Sequence, residues 1–221
     1  MSAPVRHEPS GSGPAHVLNI AAVAARTQAL GPGTRAVVWV QGCPLNCPGC
    51  LAPAWIPFVP AMKQTPEVIL AQFDLDAITG LTFSGGEPME QAGGLAALAR
   101  LARQKRDLDL ICFTGYRFER LVKNPPNRGV PELLAELDVL VDGPFIQALN
   151  NGVGLRGSSN QRVIHLTSRL KDYDFESSTR QVEISITDGE LAFVGIPTPD
   201  MVAALRQVNV EPERMEQDER S

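Results

Sequence analysis

The sequence predicts an α/β protein built on a mostly parallel sheet, and three observations predict it. Short runs such as Ala36-Val37-Val38-Trp39-Val40, Leu110 to Phe113 and Val139 to Val141 are apolar at consecutive positions, as strands buried on both faces are. Segments of helical spacing alternate with these runs, a β-α-β rhythm that implies parallel strands joined by right-handed crossovers. The runs also end on glycine-bearing loops, Gln41-Gly42-Cys43, Ser84-Gly85-Gly86 and Thr114-Gly115-Tyr116. Ligands of parallel α/β sheets bind outside the carboxyl ends of the strands, so a site is expected there.

In chain order, residues 1–15 carry three prolines, two glycines and three serines, too little apolar surface to pack, and are expected to be a disordered tail. One domain is expected over 16–208. Val17 to Ala21 reads as the first strand, and Gly31-Pro32-Gly33-Thr34-Arg35 as a turn into the run Ala36 to Val40. Thr65-Pro66-Glu67 has the chemistry of a helix start, with Thr65 as N-cap, and the helix should reach about Phe73. A short strand, Gly80 to Phe83, follows.

Leu95, Leu98, Ala99 and Ala102 recur at helical spacing, which predicts a helix from about Glu90 to Arg106 with a solvated basic end. Further on, Leu108 to Phe113 is a strand, Phe118 to Val122 and Leu133 to Leu137 are helical, and Asp138 to Val141 and Val163 to Leu166 are strands. His165 reads as structural. Val182, Ile184 and Ile186 alternate with polar residues, Asp188-Gly189 is a tight turn, and Leu191 to Val194 returns, a β-hairpin pattern. A last helix runs from near Asp200 to about Gln207, and 209–221 is expected to be a second disordered tail.

A formal net charge of -5 over 221 residues gives no electrostatic footprint for nucleic acid. No stretch offers the roughly 18 consecutive apolar residues of a membrane span. The N-terminus lacks a basic segment followed by an apolar one. A cytoplasmic protein is expected, with neither nucleic acid nor membrane as partner.

Chemistry concentrates in Gln41-Gly42-Cys43-Pro44-Leu45-Asn46-Cys47-Pro48-Gly49-Cys50, which gathers three of the four cysteines. Thiolates spaced C-x3-C-x2-C can converge on one inorganic centre but cannot all pair as disulfides, so a metal or cluster site follows. Three ligands are one short of the four that close a structural zinc site or a fully thiolate-held cluster, which leaves one position open for a small molecule. Cys112 could fill the gap, but it lies in the strand Leu108 to Phe113, where a free cysteine is commonly a small buried apolar residue. Pro44, Pro48 and Gly49 restrict or bend the backbone so that the three sulfurs face inward. Beyond them, Trp55 and Phe58 suit either a shield over the centre or ordinary core.

Together with Phe83-Ser84-Gly85-Gly86-Glu87-Pro88, this loop resembles the radical S-adenosylmethionine superfamily. In that superfamily three cysteines hold a 4Fe-4S cluster and S-adenosylmethionine occupies the fourth iron. The resemblance narrows with Leu18-Asn19-Ile20, Gly31-Pro32-Gly33-Thr34-Arg35, Trp55, Thr114-Gly115-Tyr116, Asp142-Gly143-Pro144-Phe145 and Arg156-Gly157-Ser158-Ser159-Asn160-Gln161-Arg162. From Leu18 to Leu166 these look like the anaerobic ribonucleotide reductase activating protein family.

The resemblance implies an incomplete (β/α) barrel, followed here by the C-terminal hairpin and helix, and one 4Fe-4S cluster on Cys43, Cys47 and Cys50. It implies that S-adenosylmethionine lies against Ser84, Gly85, Gly86 and Glu87, with Thr114, Gly115, Tyr116, Asp142, Arg156, Ser158 and Asn160 completing its site. Arg156 or Asn160 would meet a carboxylate or a ribose hydroxyl. The implied reaction cleaves S-adenosylmethionine reductively and abstracts a hydrogen atom from a glycine of a glycyl-radical enzyme, the large subunit of a ribonucleotide reductase. A flavodoxin or ferredoxin would donate the electron, and no acid or base beyond cluster and cofactor is required.

Four cysteines leave no room for a second cysteine-held cluster. Leu51-Ala52, Asn150-Asn151 and the chain beyond Leu166 depart from the family pattern. They keep two alternatives in view, a stand-alone radical enzyme acting on a peptide or small metabolite, and an iron–sulfur module without catalysis.

Overall fold

A computed structural model describes residues 16–187 and 190–207. The tails expected over 1–15 and 209–221, and the turn at Asp188-Gly189, lie outside the described residues.

Seven strands, β1 Leu18–Thr27, β2 Arg35–Val40, β3 Met62–Gln64, β4 Gly80–Gly85, β5 Asp109–Thr114, β6 Val139–Asp142 and β7 Arg162–His165, form one sheet in the order β3-β1-β2-β4-β5-β6-β7. The central four, β2, β4, β5 and β6, are parallel. Outside them β1 runs antiparallel to β2, β3 to β1 and β7 to β6. The reason is connection length. Residues 28–34 alone join β1 to β2, and a parallel crossover needs about a dozen or more. Between β6 and β7 the regular structure is one 3-10 turn, Gln147–Leu149, so no helix carries the chain back for a parallel return. Among the described residues β3 and β7 are the edges of the sheet and do not pair, so it is open rather than a closed barrel.

The helices α1 Pro66–Leu70, α2 Ala92–Lys105, α3 Phe118–Lys123 and α4 Val130–Glu136 cover one face of this sheet. Each parallel strand alternates between the two sides. Ala36, Val38 and Val40 of β2, Leu110 and Cys112 of β5 and Leu140 of β6 join the helix-side core, with Leu95, Leu98 and Leu133 from α2 and α4. Val37, Trp39, Ile111, Val139 and Val141 face the other way and pack with Leu155, Phe175 and Ile196 from the chain after β6. That second layer also carries the antiparallel pair β8 Val182–Thr187 and β9 Glu190–Gly195, which leads to α5 Pro199–Gln207. No described helix is long and apolar enough to cross a membrane.

Several elements differ in extent from the sequence reading. The first strand continues to Thr27 through alanines, which are weak strand formers. A register shift between Ile20 and Ala22 turns its buried residues from the helix-side core to the opposite one. Only one regular turn forms after Pro66, so α1 ends at Leu70. The basic end of α2 is paired within the chain, Arg100 with Glu132, Arg103 with Asp138 and Arg106 with Asp76.

A guanidinium fastens the lower end of the sheet. Arg35 is wholly buried and donates to Thr82 Oγ1 at 2.7 Å, to the Leu81 carbonyl at 2.8 Å and to the Asp109 carboxylate at 2.5 Å, tying β2, β4 and β5 together. The upper end, where these strands finish, is thereby left to the loops.

Candidate functional site

The cysteine loop leaves the sheet directly from β2 and is anchored at its root by backbone bonds. Gly42 N–H donates to the Trp55 carbonyl and Cys43 N–H to the Ile56 carbonyl, both at 2.9 Å. Gly42 takes a φ of +99°, and a side chain there would run into the ring of Phe58, so only glycine fits this exit from the strand. Asn46 adopts a left-handed φ of +44°, which asparagine tolerates better than most residues. Leu45 packs over Gly115 and Gln147 over Gly49, so the loop lies across the ends of β5 and β6. Trp55 joins the second core, its ring 5.8 Å from that of Trp39, whereas Phe58 is exposed.

Cys43, Cys47 and Cys50 are half-buried and free of disulfides. Burial raises the Cys43 and Cys50 thiols above their ordinary pKa, so a metal must displace protons to bind there. Ala52 N–H points at Cys50 Sγ, 3.4 Å away, a donor that favours the thiolate. Among the described residues no three His, Cys, Asp or Glu side chains converge on a point that would hold a single metal ion. A cluster spreads its thiolates over separate irons, and this donor set fits it. Cys112 is fully buried on the helix side of β5.

The Gly-Gly-Glu-Pro stretch emerges beside the cysteine loop, because β4 is the parallel neighbour of β2 and Gly85 stands in register with Val40. Gly86 N–H donates to the Val40 carbonyl at 2.7 Å and Glu87 N–H to the Gly42 carbonyl at 2.9 Å. A methyl group at Gly86 would collide with the carbonyls of Gly42 and Trp55, so the absence of a side chain lets the two loops seat on each other. Ser84 is half-buried.

The Glu87 carboxylate turns inward. It is 1% exposed and accepts from Thr114 Oγ1 at 2.7 Å, Gly115 N–H at 2.9 Å and Met89 N–H at 3.0 Å. Burial outweighs these bonds and pushes its pKa up to about 7. One residue therefore joins the ends of β2, β4 and β5. Gln91 supports it from the other side, donating to the carbonyls of Asn19 and Gln41 at 2.9 and 3.0 Å.

Tyr116 and Asp142 face the frame in the same way. The Tyr116 ring is buried among helix-side residues and its hydroxyl donates to Glu90 Oε1 at 2.6 Å. Asp142 is completely buried, accepts from Phe118 N–H at 2.7 Å and pairs with Arg162, whose Nε lies 2.9 Å from Oδ1. It caps the start of α3 and holds β7 to β6.

The polar loop after the 3-10 turn is different, because two of its buried atoms have nothing to bond. Ser158 Oγ accepts from Ile146 N–H at 3.1 Å, and Asn160 Nδ2 donates to the Pro144 carbonyl at 2.8 Å. Arg156 Nη1 donates to the Gln161 carbonyl at 3.1 Å. Arg156 Nε and Asn160 Oδ1 are buried without a partner. Buried polar atoms are nearly always bonded, so this donor and acceptor are open to a water or a ligand. The sequence reading missed Gln91, a single polar residue beside strand ends, and quoted Asn19 and Arg162 within motifs without giving them a role.

Half-buried thiols past one strand end, a glycine pair past the next and two unsatisfied polar groups beyond them define a cluster-binding α/β domain of the radical S-adenosylmethionine type. The model of the 4Fe-4S single cluster domain matches residues 29–164. The chain is 34% identical over 145 residues to the anaerobic ribonucleoside-triphosphate reductase-activating protein of Salmonella typhi, covering 62% of this chain and 91% of that protein. It is 38% identical to the Vibrio cholerae protein of the same name over 144 residues, 61% of this chain and 89% of the relative. The Enterobacteria phage T4 relative is 29% identical over 152 residues, 65% and 92% of the two chains. The chain belongs to the anaerobic ribonucleoside-triphosphate reductase-activating protein family.

Proposed function

We propose that this chain is a glycyl-radical activase whose partner is the large subunit of an anaerobic ribonucleotide reductase. Family membership brings with it a 4Fe-4S cluster and S-adenosylmethionine as cofactors. When bound, together they would supply one-electron reductive cleavage of a carbon–sulfur bond and, through it, abstraction of a hydrogen atom from the partner's glycine. The observation that carries the reading is the register of β2 and β4. Val40 and Gly85 stand side by side, so the cysteine loop and the Gly-Gly-Glu-Pro stretch leave the sheet together at one level.

Each residue has a part in this reading. Cys43, Cys47 and Cys50 hold the cluster. Ser84, Gly85 and Gly86 offer backbone to the amino group of the cofactor's methionine moiety, and Thr114 and Gly115 border it. The unpartnered Nε–H of Arg156 suits a carboxylate or a hydroxyl. Asn160 Oδ1 accepts only, so it suits a ribose hydroxyl rather than a carboxylate. Ser158, Asp142, Tyr116 and Glu87 act on the cofactor through the frame that their bonds stiffen. The open sheet is read as the incomplete barrel of this class, its open side admitting the partner's glycine loop. A flavodoxin or ferredoxin is the electron donor in a cytoplasmic setting.

The test is anaerobic reconstitution with iron and sulfide, reduction in the presence of S-adenosylmethionine, and assay of 5′-deoxyadenosine. Electron paramagnetic resonance then looks for a glycyl radical after the reductase subunit is added. Product that disappears in Cys47→Ala, together with a radical on the subunit, supports the reading. A fully loaded cluster that yields neither overturns it. Cleavage without a radical on the subunit moves the assignment to another substrate.

A further inference from the structure

We propose that Arg180, which lies beyond the residues matched by the family model, is a positioning residue. It clamps the loop of residues 150–157 and so presents Arg156 and Asn160 to S-adenosylmethionine. The inference rests on the function proposed above and goes beyond it, assigning a role to the part of the chain after residue 164.

The guanidinium of Arg180 is surrounded by oxygen acceptors on the backbone of that loop. Nε donates to the Gly154 carbonyl at 3.0 Å, and Nη1 to Asn150 Oδ1 at 2.7 Å and the Pro197 carbonyl at 3.2 Å. Nη2 donates to the Arg156 carbonyl in a short bond, with the Val153 and Gly157 carbonyls each at 3.4 Å. Among the described residues no carboxylate pairs with it, and all its bonds but the one to Pro197 go to the loop rather than to a counter-charge. A planar fork of five N–H groups can satisfy such an array, and an ammonium cannot.

The backbone on either side of Arg180 repeats the connection. Gly154 N–H donates to the Ser178 carbonyl at 2.9 Å and Leu155 N–H to the Phe175 carbonyl at 2.7 Å, while Val153 and Thr179 form an isolated antiparallel bridge. Phe175 is 2% exposed and packs with Val37, Ile111 and Leu155 beneath the sheet, so the clamp is rooted in the second core. The far end of the loop is tied to the strand ends instead. Ser159 N–H donates to the Leu149 carbonyl at 2.8 Å and Gln161 Nε2 to the Gly143 carbonyl at 2.8 Å. Arg156 and Asn160 thus sit on a loop strung between the β6 end and the C-terminal layer, and they carry the two unpartnered atoms. A loop held from one side only would have to order on binding, at a cost in affinity.

The experiment compares the full chain, anaerobically reconstituted, with Arg180→Gln, Arg180→Lys and Asn150→Ala. Two readouts are taken, amide hydrogen exchange over 150–161 without cofactor, and KM for S-adenosylmethionine against kcat for 5′-deoxyadenosine. In Arg180→Gln the loop amides should exchange about tenfold faster and KM should rise about tenfold. Cluster content and kcat should stay within roughly twofold of wild type. Arg180→Lys should rescue less than half of the KM change. A merely structural role would lower cluster content and kcat and leave KM in place, and that result, or an unchanged exchange pattern, overturns the inference.

If Arg180→Gln does not fold, Asn150→Ala decides, since it removes one acceptor atom, which takes the 2.7 Å bond from Arg180 and a longer one from Gly152 N–H. A rise in KM of about threefold supports the clamp and no rise overturns it. Wild-type protein that carries a full cluster yet neither binds nor cleaves S-adenosylmethionine overturns the activase reading itself, an outcome distinct from a wild type that works and a variant that works equally well.

Discussion

Glu87→Gln tests whether the glutamate of the Gly-Gly-Glu-Pro stretch is a buried brace. Its carboxyl is 1% exposed and its pKa is pushed up to about 7, burial outweighing the bonds from Met89, Thr114 and Gly115. In the unfolded chain it returns to its ordinary value of 4.5. A carboxyl whose folded pKa is the higher binds its proton more tightly in the folded state. Its contribution is therefore fully present below the unfolded pKa and is lost as pH rises through the folded one. The rise from 4.5 to about 7 corresponds to about 3 kcal/mol, most of which is lost between about pH 5 and pH 8. Glutamine keeps one acceptor oxygen and has no charge to desolvate, though its amide faces the Gly115 N–H badly, at a cost of about 1 kcal/mol. The assay is urea unfolding of the metal-free chain under reductant across that pH range, taken as the difference between wild type and variant so that other titrating groups cancel. The variant should be the less stable near pH 5 and the more stable near pH 8. Parallel profiles across the range would refute the reasoning.

Three further substitutions separate the site from its scaffold. Cys112→Ala should leave iron content and S-adenosylmethionine cleavage as in wild type and cost about 1 kcal/mol in urea unfolding, because it removes one sulfur from a closed apolar core; lost iron would make Cys112 a ligand. Asp109→Asn should destabilise by about 3 kcal/mol, since it strips the counter-charge from a wholly buried Arg35, while cluster content in the folded fraction stays unchanged. Gly86→Ala drives a methyl group into the carbonyls of Gly42 and Trp55, so it should cost about 2 kcal/mol and lower S-adenosylmethionine affinity more than Asp109→Asn does, as read by equilibrium dialysis.

Much of the parallel centre was legible because its residues have no freedom to be anything else. Strands such as Ala36 to Val40 are buried on both faces, so they read as continuous apolar runs. The cysteine spacing carried the cluster, and the two glycine loops carried the strand ends. Less legible was whatever depended on partners distant in sequence. Nothing local distinguishes Arg35 from a surface arginine at a turn, and its burial follows only once Thr82 and Asp109 are brought beneath β2. Met62–Gln64 is too short to show alternation and becomes a strand because β1 offers it an edge. The antiparallel flanks follow from short or helix-free connections, which rhythm alone does not weigh. Glu87, Tyr116 and Asp142 sit in motifs that point at the cofactor, yet packing turns their side chains into the frame.

That inward turn bears on how the site keeps its shape through cluster loss and reassembly. The sulfurs are carried by a loop with few bonds of its own, Cys50 N–H to the Cys47 carbonyl at 3.1 Å among them. Its position is set instead at its root by Gly42, beneath its tip by Gly115 and at its flank by Gln147. Glu87 reaches the first two of these, bonding the Gly42 carbonyl through its amide and Gly115 through its carboxylate. The wall bearing Arg156 and Asn160 is fixed independently, through Arg180 and Phe175, to the layer on the other side of the sheet. Weakening Glu87 should therefore loosen the cluster and cofactor together, whereas weakening Arg180 should loosen the cofactor alone. Iron retention during anaerobic dialysis against a chelator distinguishes the two, with faster loss expected from Glu87→Ala, which removes the carboxylate's bonds altogether, than from Arg180→Gln. Equal rates of loss would mean that the two supports are one mechanical unit.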